Sequence, residues 1–224
     1  SCILVQANIH AGEVEGKEAV LMLLRELAQG EHRAWLEEMN ILFLPLFNPD
    51  GNEQLGHNRR DNGPELAGVR HNGQHLDLNR DYLKSESPEV SAELELLNTW
   101  DPILFIDLHT TNGSLHQEPV TFSTHSHPAT DPRMVRFMWE DFFPAVQTDL
   151  EKKHRTRSVP YGNFINRAVP EAGWFSDAAE GRYGTNYIGL RNRFSILSES
   201  YSHADFSTRV LTTRAFVSSI LDQC

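Results

Sequence analysis

Apolar positions recur along this chain in two rhythms. Four short, nearly continuous apolar runs, CILVQANI from Cys2, ILFLPLF from Ile41, PILFIDLH from Pro102 and NRFSILSES from Asn192, have the pattern of strands buried on both faces. Between the first two, Val20, Leu21, Leu23, Leu24 and Leu27 recur at helical spacing and Gly30 supplies a stop, which predicts a helix over Val14–Gln29. Ser87 followed by Pro88 gives a helix cap and a proline at the first helical position, and Val90, Leu94 and Leu97 carry that helix to about Thr99. A long helix is predicted over Asp131–Lys153, kinked or divided at Pro144, and a closing helix over Thr208–Leu221.

NPDG at Asn48–Gly51 reads as a turn. From there to Leu78, Gly, Asn, His and Arg dominate with no sustained period, and a loop of that length in a compact domain is functional or mobile. Strands alternating with helices, without internal repeats, predict one α/β domain over residues 1–224. Its central sheet is mixed and largely parallel, with helices on both faces.

Composition narrows the function classes. The hydrophobic fraction of 39% over 224 residues suffices for a sizeable core. No apolar run approaches the roughly 20 residues that cross a bilayer, so the given chain has no predicted membrane span. A net charge of −11, with the 20 Lys and Arg scattered, argues against a nucleic-acid partner. Cys2 and Cys224 stand at opposite ends and can build neither a disulfide framework nor a cysteine metal site. The chain opens directly on a buried-looking strand, from which we expect residues to precede Ser1 in the natural protein.

Three polar residues interrupt this picture. His10 and Glu13 follow the first predicted strand, and His109 ends the third; the C-terminal edge of strands is where open α/β sheets bind ligands. Two imidazoles and one carboxylate, with a fourth position left for water, make a catalytic zinc set if they converge.

The chain resembles the zinc carboxypeptidases of the metallocarboxypeptidase A superfamily, peptidase family M14. The resemblance rests on His10-x-x-Glu13, NPDG, RRDN at Arg59–Asn62, DLNRDY at Asp77–Tyr82, DLHTT at Asp107–Thr111 and ILSES with Glu199, in the family's order and over nearly the whole chain. The family's earlier strands, expected before Cys2, are absent. The resemblance implies that His10, Glu13 and His109 bind one zinc ion per chain. It implies that Glu199 is the general base, taking a proton from the attacking water and returning it to the leaving amine. Arg60, with adjacent Arg59 as its rival, matches the arginine that stabilises the oxyanion. Asn79 and Arg80 match the pair that grips a substrate's terminal carboxylate, so the implied partner is a peptide with a free C-terminus. Asp77 matches a carboxylate that orients the first zinc histidine. Asp107 either serves His109 in the same way or simply ends its strand.

Specificity does not transfer. For the tyrosine that closes over substrate the candidates are Tyr187 and Tyr183, and Arg191 with Arg193 suggests a positively charged pocket for acidic substrates or a salt-bridged surface. His71, His75, His116, His125 and His127 lie in polar loops and are expected to be exposed rather than ligands. Two other functions remain: a zinc-dependent N-acyl amino acid deacylase, which DLNR and DLHTT also resemble, and a module that recognises peptide C-termini without cleaving them. NPDG and the helix directly after Glu13 favour the peptidase, and the retained Glu199 counts against the binding module.

Overall fold

The computed structural model describes residues 1–60, 63–176 and 178–224. Its strands are β1 (Cys2–Ala7), β2 (Asn40–Leu44), β3 (Leu104–Thr110), β4 (Val120–Thr124), β5 (Ser158–Pro160), β6 (Asn163–Phe164), β7 (Trp174–Phe175) and β8 (Phe194–Ser200). Six of them form one sheet in the order β2-β1-β3-β8-β4-β5, and β6 pairs with β7 in a separate antiparallel ribbon. β2, β1, β3 and β8 run parallel, β4 is antiparallel to β8, and β5 is parallel to β4. The helices are α1 (Glu15–Ala28), α2 (Arg33–Glu38), α3 (Pro49–Glu53), α4 (Pro88–Trp100), α5 (Pro132–Phe137), α6 (Phe143–His154), α7 (Gly184–Leu190) and α8 (Phe206–Leu221).

Alternation along the strands divides the sheet into two unlike faces. On one, Ile3, Val5, Ile106, Leu108, Phe122 and Ile196 pack against apolar residues of α1, α6 and α8, among them Leu23, Val146 and Phe216. On the other, Leu4 and Phe105 meet Leu97 of α4 and Ile188 of α7. The residues that follow on this second face are polar: Gln6, Asp107 and His109 lie in register along β1 and β3, and Glu199 stands beside His109 on β8. Helix α1 lies so close to β3 that a Cβ on Gly16 would come within 2.6 Å of the Leu108 Cβ, which is why the residue three past Glu13 carries no side chain.

The elements depart from the sequence expectations in ways with local causes. β2 stops at Leu44 rather than Phe47 because Pro45 has no N–H to continue the ladder. NPDG is more than a turn, since the Asn48 side chain accepts from the Gly51 N–H at 2.8 Å and caps α3, with Pro49 at its first position. The helix expected over Asp131–Lys153 is two helices joined by a wide turn at Met138–Phe142, where the Phe143 N–H reaches back to the Met138 carbonyl. Pro144 offers no N–H to the Glu140 carbonyl, and the wider turn accommodates it. Helices α2 and α7 and strands β4 to β7 were not anticipated. Asp61 and Asn62 of the RRDN motif lie outside the described residues. Among the described residues, no helix is long and apolar enough to cross a membrane.

Candidate functional site

At the end of β1, Asn8 adopts a left-handed φ of 66° and turns the chain out of the sheet. Its side-chain amide donates to the carbonyls of Ala11 and Glu13, at 3.3 and 3.1 Å, and the Glu13 N–H closes on the His10 carbonyl at 2.9 Å. This tight turn presents His10 and Glu13 at the sheet edge where His109 emerges from β3. One donor atom from each of the three residues lies within 4.8 Å of the others, and all three side chains are buried.

The imidazoles share an orientation. Each turns Nδ1 toward Glu13, His10 at 3.0 Å from Oε1 and His109 at 2.9 Å from Oε2. Each turns Nε2 toward an aspartate, His10 to Asp77 Oδ1 at 3.2 Å and His109 to Asp107 Oδ2 at 2.8 Å. Asp107, left open by the sequence, therefore lies against His109. Two convergent ring nitrogens and a carboxylate, with the far nitrogens held by carboxylates, fit a zinc ion with a position left open.

The electrostatics follow from this packing. Burial opposes ionisation of Glu13, but the charges of His10 and Arg60 and hydrogen bonds from both imidazoles outweigh it and hold the carboxyl well below the usual carboxylate range. Burial favours neutral His109, yet Asp107 and Glu13 together raise its pKa well above the ordinary histidine value. Asp77, again against the pull of burial, is lowered by His10 and by Arg70, whose Nε donates to its Oδ2 at 2.8 Å.

A cavity of about 270 Å³ opens on this centre. His10, Glu13, His109, Glu199, Arg60, Asn79 and Arg80 all line it. Arg60 pairs directly with Glu13 Oε1, whereas Arg59 lies only on a neighbouring depression. Asn79 Oδ1 accepts the Gly184 N–H at 2.9 Å, which ties it to the start of α7, and the Arg80 guanidinium sits 4.4 Å over the Tyr183 ring.

Three sequence candidates are not brought to the cavity. Tyr187 packs against Tyr82, ring centroids 5.7 Å apart, in the apolar layer beneath α7; Tyr183, one helical turn earlier, lines the cavity instead. Arg191 donates to Asn98 at 2.8 Å and Arg193 pairs with Asp101 at 2.6 Å, so both serve the outer surface and not a charged pocket. His125 is also corrected: it is fully buried at the end of β4, 3.1 Å from Ser195 Oγ, and burial pushes its pKa down to about 4.

Several participants escaped sequence reasoning. Arg70, which holds Asp77, sits in the aperiodic GVRHNG stretch with nothing to single it out. Thr110 donates its N–H to Glu13 Oε2 at 3.1 Å and its hydroxyl to Glu15 Oε2 at 2.6 Å, and Glu15 is paired with the fully buried Arg209 of α8. Behind Asp107, Gln6 Nε2 lies 3.3 Å from its Oδ1 and 3.1 Å from the Tyr82 hydroxyl, which donates to Glu93 at 2.7 Å. For one of these the sequence held only a faint signal, a second carboxylate, Glu15, two residues past Glu13.

The fold is an α/β one, and at the C-terminal edge of its sheet stand three residues, His10, Glu13 and His109, that could hold a metal ion. A family model described as zinc carboxypeptidase, peptidase M14, matches residues 1–187, and the chain belongs to that family. Carboxypeptidase 2 of Trichophyton tonsurans is 29% identical over 239 residues, an alignment covering 98% of this chain but 41% of the fungal protein. The chain thus spans about two-fifths of that relative's length. Among solved structures, a metallo-carboxypeptidase from Burkholderia cenocepacia superimposes with a TM-score of 0.71 at 16% identity, covering 100% of this chain and 56% of that one. A metallo-carboxypeptidase from Pseudomonas aeruginosa, solved with (2-guanidinoethylmercapto)succinic acid, gives 0.67 at 19% identity, covering 99% and 56%. At those identities the superpositions establish the fold.

Proposed function

We propose that this chain carries the active site of a zinc-dependent metallocarboxypeptidase that removes the C-terminal residue of peptides. One observation carries the reading: the cavity that opens on His10, Glu13 and His109 is also lined by Glu199 and by Asn79 and Arg80. A metal-ligand set, a proton carrier and a carboxylate clamp around a single space are the parts this reaction needs, and no simpler binding role requires all three.

His10, Glu13 and His109 would hold the zinc, which when bound would lower the pKa of water and polarise a carbonyl. Asp77 and Asp107 fix the imidazole tautomers, so that Nδ1 of each ring is the ligand and Nε2 carries the proton. Arg80 receives the terminal carboxylate of the substrate. Asn79, its amide oxygen engaged by the Gly184 N–H, offers its NH2 to the same carboxylate. Glu199 takes the proton from the attacking water and delivers it to the departing amine. Arg60 supplies a guanidinium to the carbonyl oxygen as charge develops on it.

The test is a set of peptides assayed in pairs, with a free and with an amidated C-terminus, alongside N-acyl amino acids. Free peptides should lose one terminal residue and their amides should resist, because a bound amide would cover the Arg80 guanidinium without giving it a carboxylate. Arg80→Ala should lower kcat/KM roughly tenfold or more and shrink the preference for acid over amide. Equal cleavage of both forms, or internal cuts in product mass spectra, would defeat the carboxypeptidase reading; reaction with N-acyl amino acids alone would replace it with a deacylase.

A further inference from the structure

We infer that the substrate's C-terminal residue bears an uncharged polar side chain, a carboxamide or a hydroxyl, and that Asn186 is the donor that reads it. The inference rests on the carboxypeptidase reading and deepens it. Among the described residues, the charged ones lining the cavity are all engaged elsewhere in that reading. His10, Glu13 and His109 form the metal centre, Glu199 and Arg60 act in the chemistry, Arg80 holds the carboxylate, and Arg70 is paired with Asp77. Among the described residues, the rest of the wall includes Ser123 and Thr124 of β4, Asn186 of α7, Leu197 of β8 and the rings of Tyr161 and Tyr183. Leu197 stands opposite Ser123 in the β8–β4 register, two residues before Glu199. Among the described residues, this wall adds no further charge to match a basic or acidic side chain, and hydroxyl and amide groups make up most of it.

Asn186 is the specific element. It is 6% exposed, and its Oδ1 accepts the backbone N–H groups of Ser126 at 2.8 Å and His127 at 3.2 Å. Two donors on one atom fix which end of the amide is oxygen, so the NH2 is the edge this residue has to give the cavity. The Thr124 hydroxyl is engaged elsewhere, donating to the Ser195 carbonyl at 2.7 Å. A substrate oxygen, from a carboxamide or a hydroxyl, satisfies the Asn186 donor; an aliphatic or aromatic side chain buries it unpaired, a difference of roughly tenfold or more in binding.

The experiment is a peptide ladder that varies only the last residue: Asn, Gln, Ser and Thr against Leu and Phe, Lys and Arg, Asp and Glu. It is read as kcat/KM on zinc-loaded protein and as equilibrium affinity, by calorimetry, for Glu199→Gln. The polar neutral set should lead each other set by roughly tenfold or more in both readouts. Asn186→Asp keeps the acceptor for Ser126 and His127 while exchanging the donor for a carboxylate oxygen, so preference should move to Lys and Arg. Ser123→Leu, a second variant on the strand opposite, should raise the standing of Leu and Phe. Leading turnover on aromatic, basic or acidic ends, or profiles unmoved by both variants, would overturn the inference while leaving the carboxypeptidase intact. Failure to cleave or bind any free-ended peptide would overturn the underlying reading and this inference with it.

Discussion

The two faces of the central sheet use the same strands for opposite ends. Odd positions of β1 and even positions of β3, such as Ile3, Val5, Ile106 and Leu108, enter an apolar layer closed by α1, α6 and α8. The intervening positions begin apolar at Leu4 and Phe105, then become Gln6, Asp107 and His109 toward the sheet's C-terminal edge. One face holds the fold by burial. The other gives up apolar packing to a connected set of buried polar groups that runs from His109 through Asp107, Gln6 and Tyr82 to Glu93. Substitutions on the two faces should therefore separate stability from chemistry, because none of the described residues of the apolar layer lines the cavity.

The largest effect on stability should come from the apolar face. Phe216 is fully buried, with its ring centroid 5.9 Å from that of Phe122, and Phe216→Ala should cost about 3–5 kcal/mol by chemical denaturation. Metal content per folded chain should be unchanged. Loss of metal without loss of stability would break the comparison.

On the polar face the next effect is catalytic. Glu199→Gln should keep the fold and the metal but reduce turnover by at least roughly 10²-fold, the lower end of what general acid–base groups contribute. Native turnover in this variant would assign the proton to another residue.

The smallest effect sharpens the contrast by showing what the polar face costs. Burial first, with the charge of Asp107 adding and the hydrogen bond from Tyr82 opposing, pushes the Glu93 carboxyl up to about 8. An unfolded chain ionises Glu93 in the ordinary carboxylate range, whereas the folded one keeps the proton until near pH 8. Folding therefore takes up a proton in that window, and Glu93's contribution to stability falls as pH rises through it. Glu93→Gln has no proton to hold and still accepts from Tyr82. Its stability relative to the native protein should grow between pH 5 and 8, reaching about 1 kcal/mol or more. A difference that is flat with pH would remove Glu93 from this role.

Much of this was legible because its signals are local. His10 and Glu13 are three apart in one turn, and His109 closes an apolar run whose strand character is plain, so the members of the cluster that converges could be read from the chain. Family resemblance added Glu199, Asn79 and Arg80. What failed is what depends on phase or distance. In the short helix α7, Tyr183 and Tyr187 differ by one turn, and only the packing of Tyr187 on Tyr82 decides which faces the cavity. Strand β4 is five residues of mixed polarity, VTFST, whose pairing with β8 no short-range pattern announces. Gln6, Tyr82 and Glu93 meet across 76 and 11 residues of sequence, and neither separation leaves a periodic trace.

We propose that His10, Glu13 and His109 on the polar face bind one zinc ion. Metal analysis of the native protein beside His10→Ala and His109→Ala, each checked for folding by circular dichroism, tests it most directly. The account predicts about one zinc per native chain and loss of that zinc from both folded variants. Zinc retained at the native level in both would contradict it.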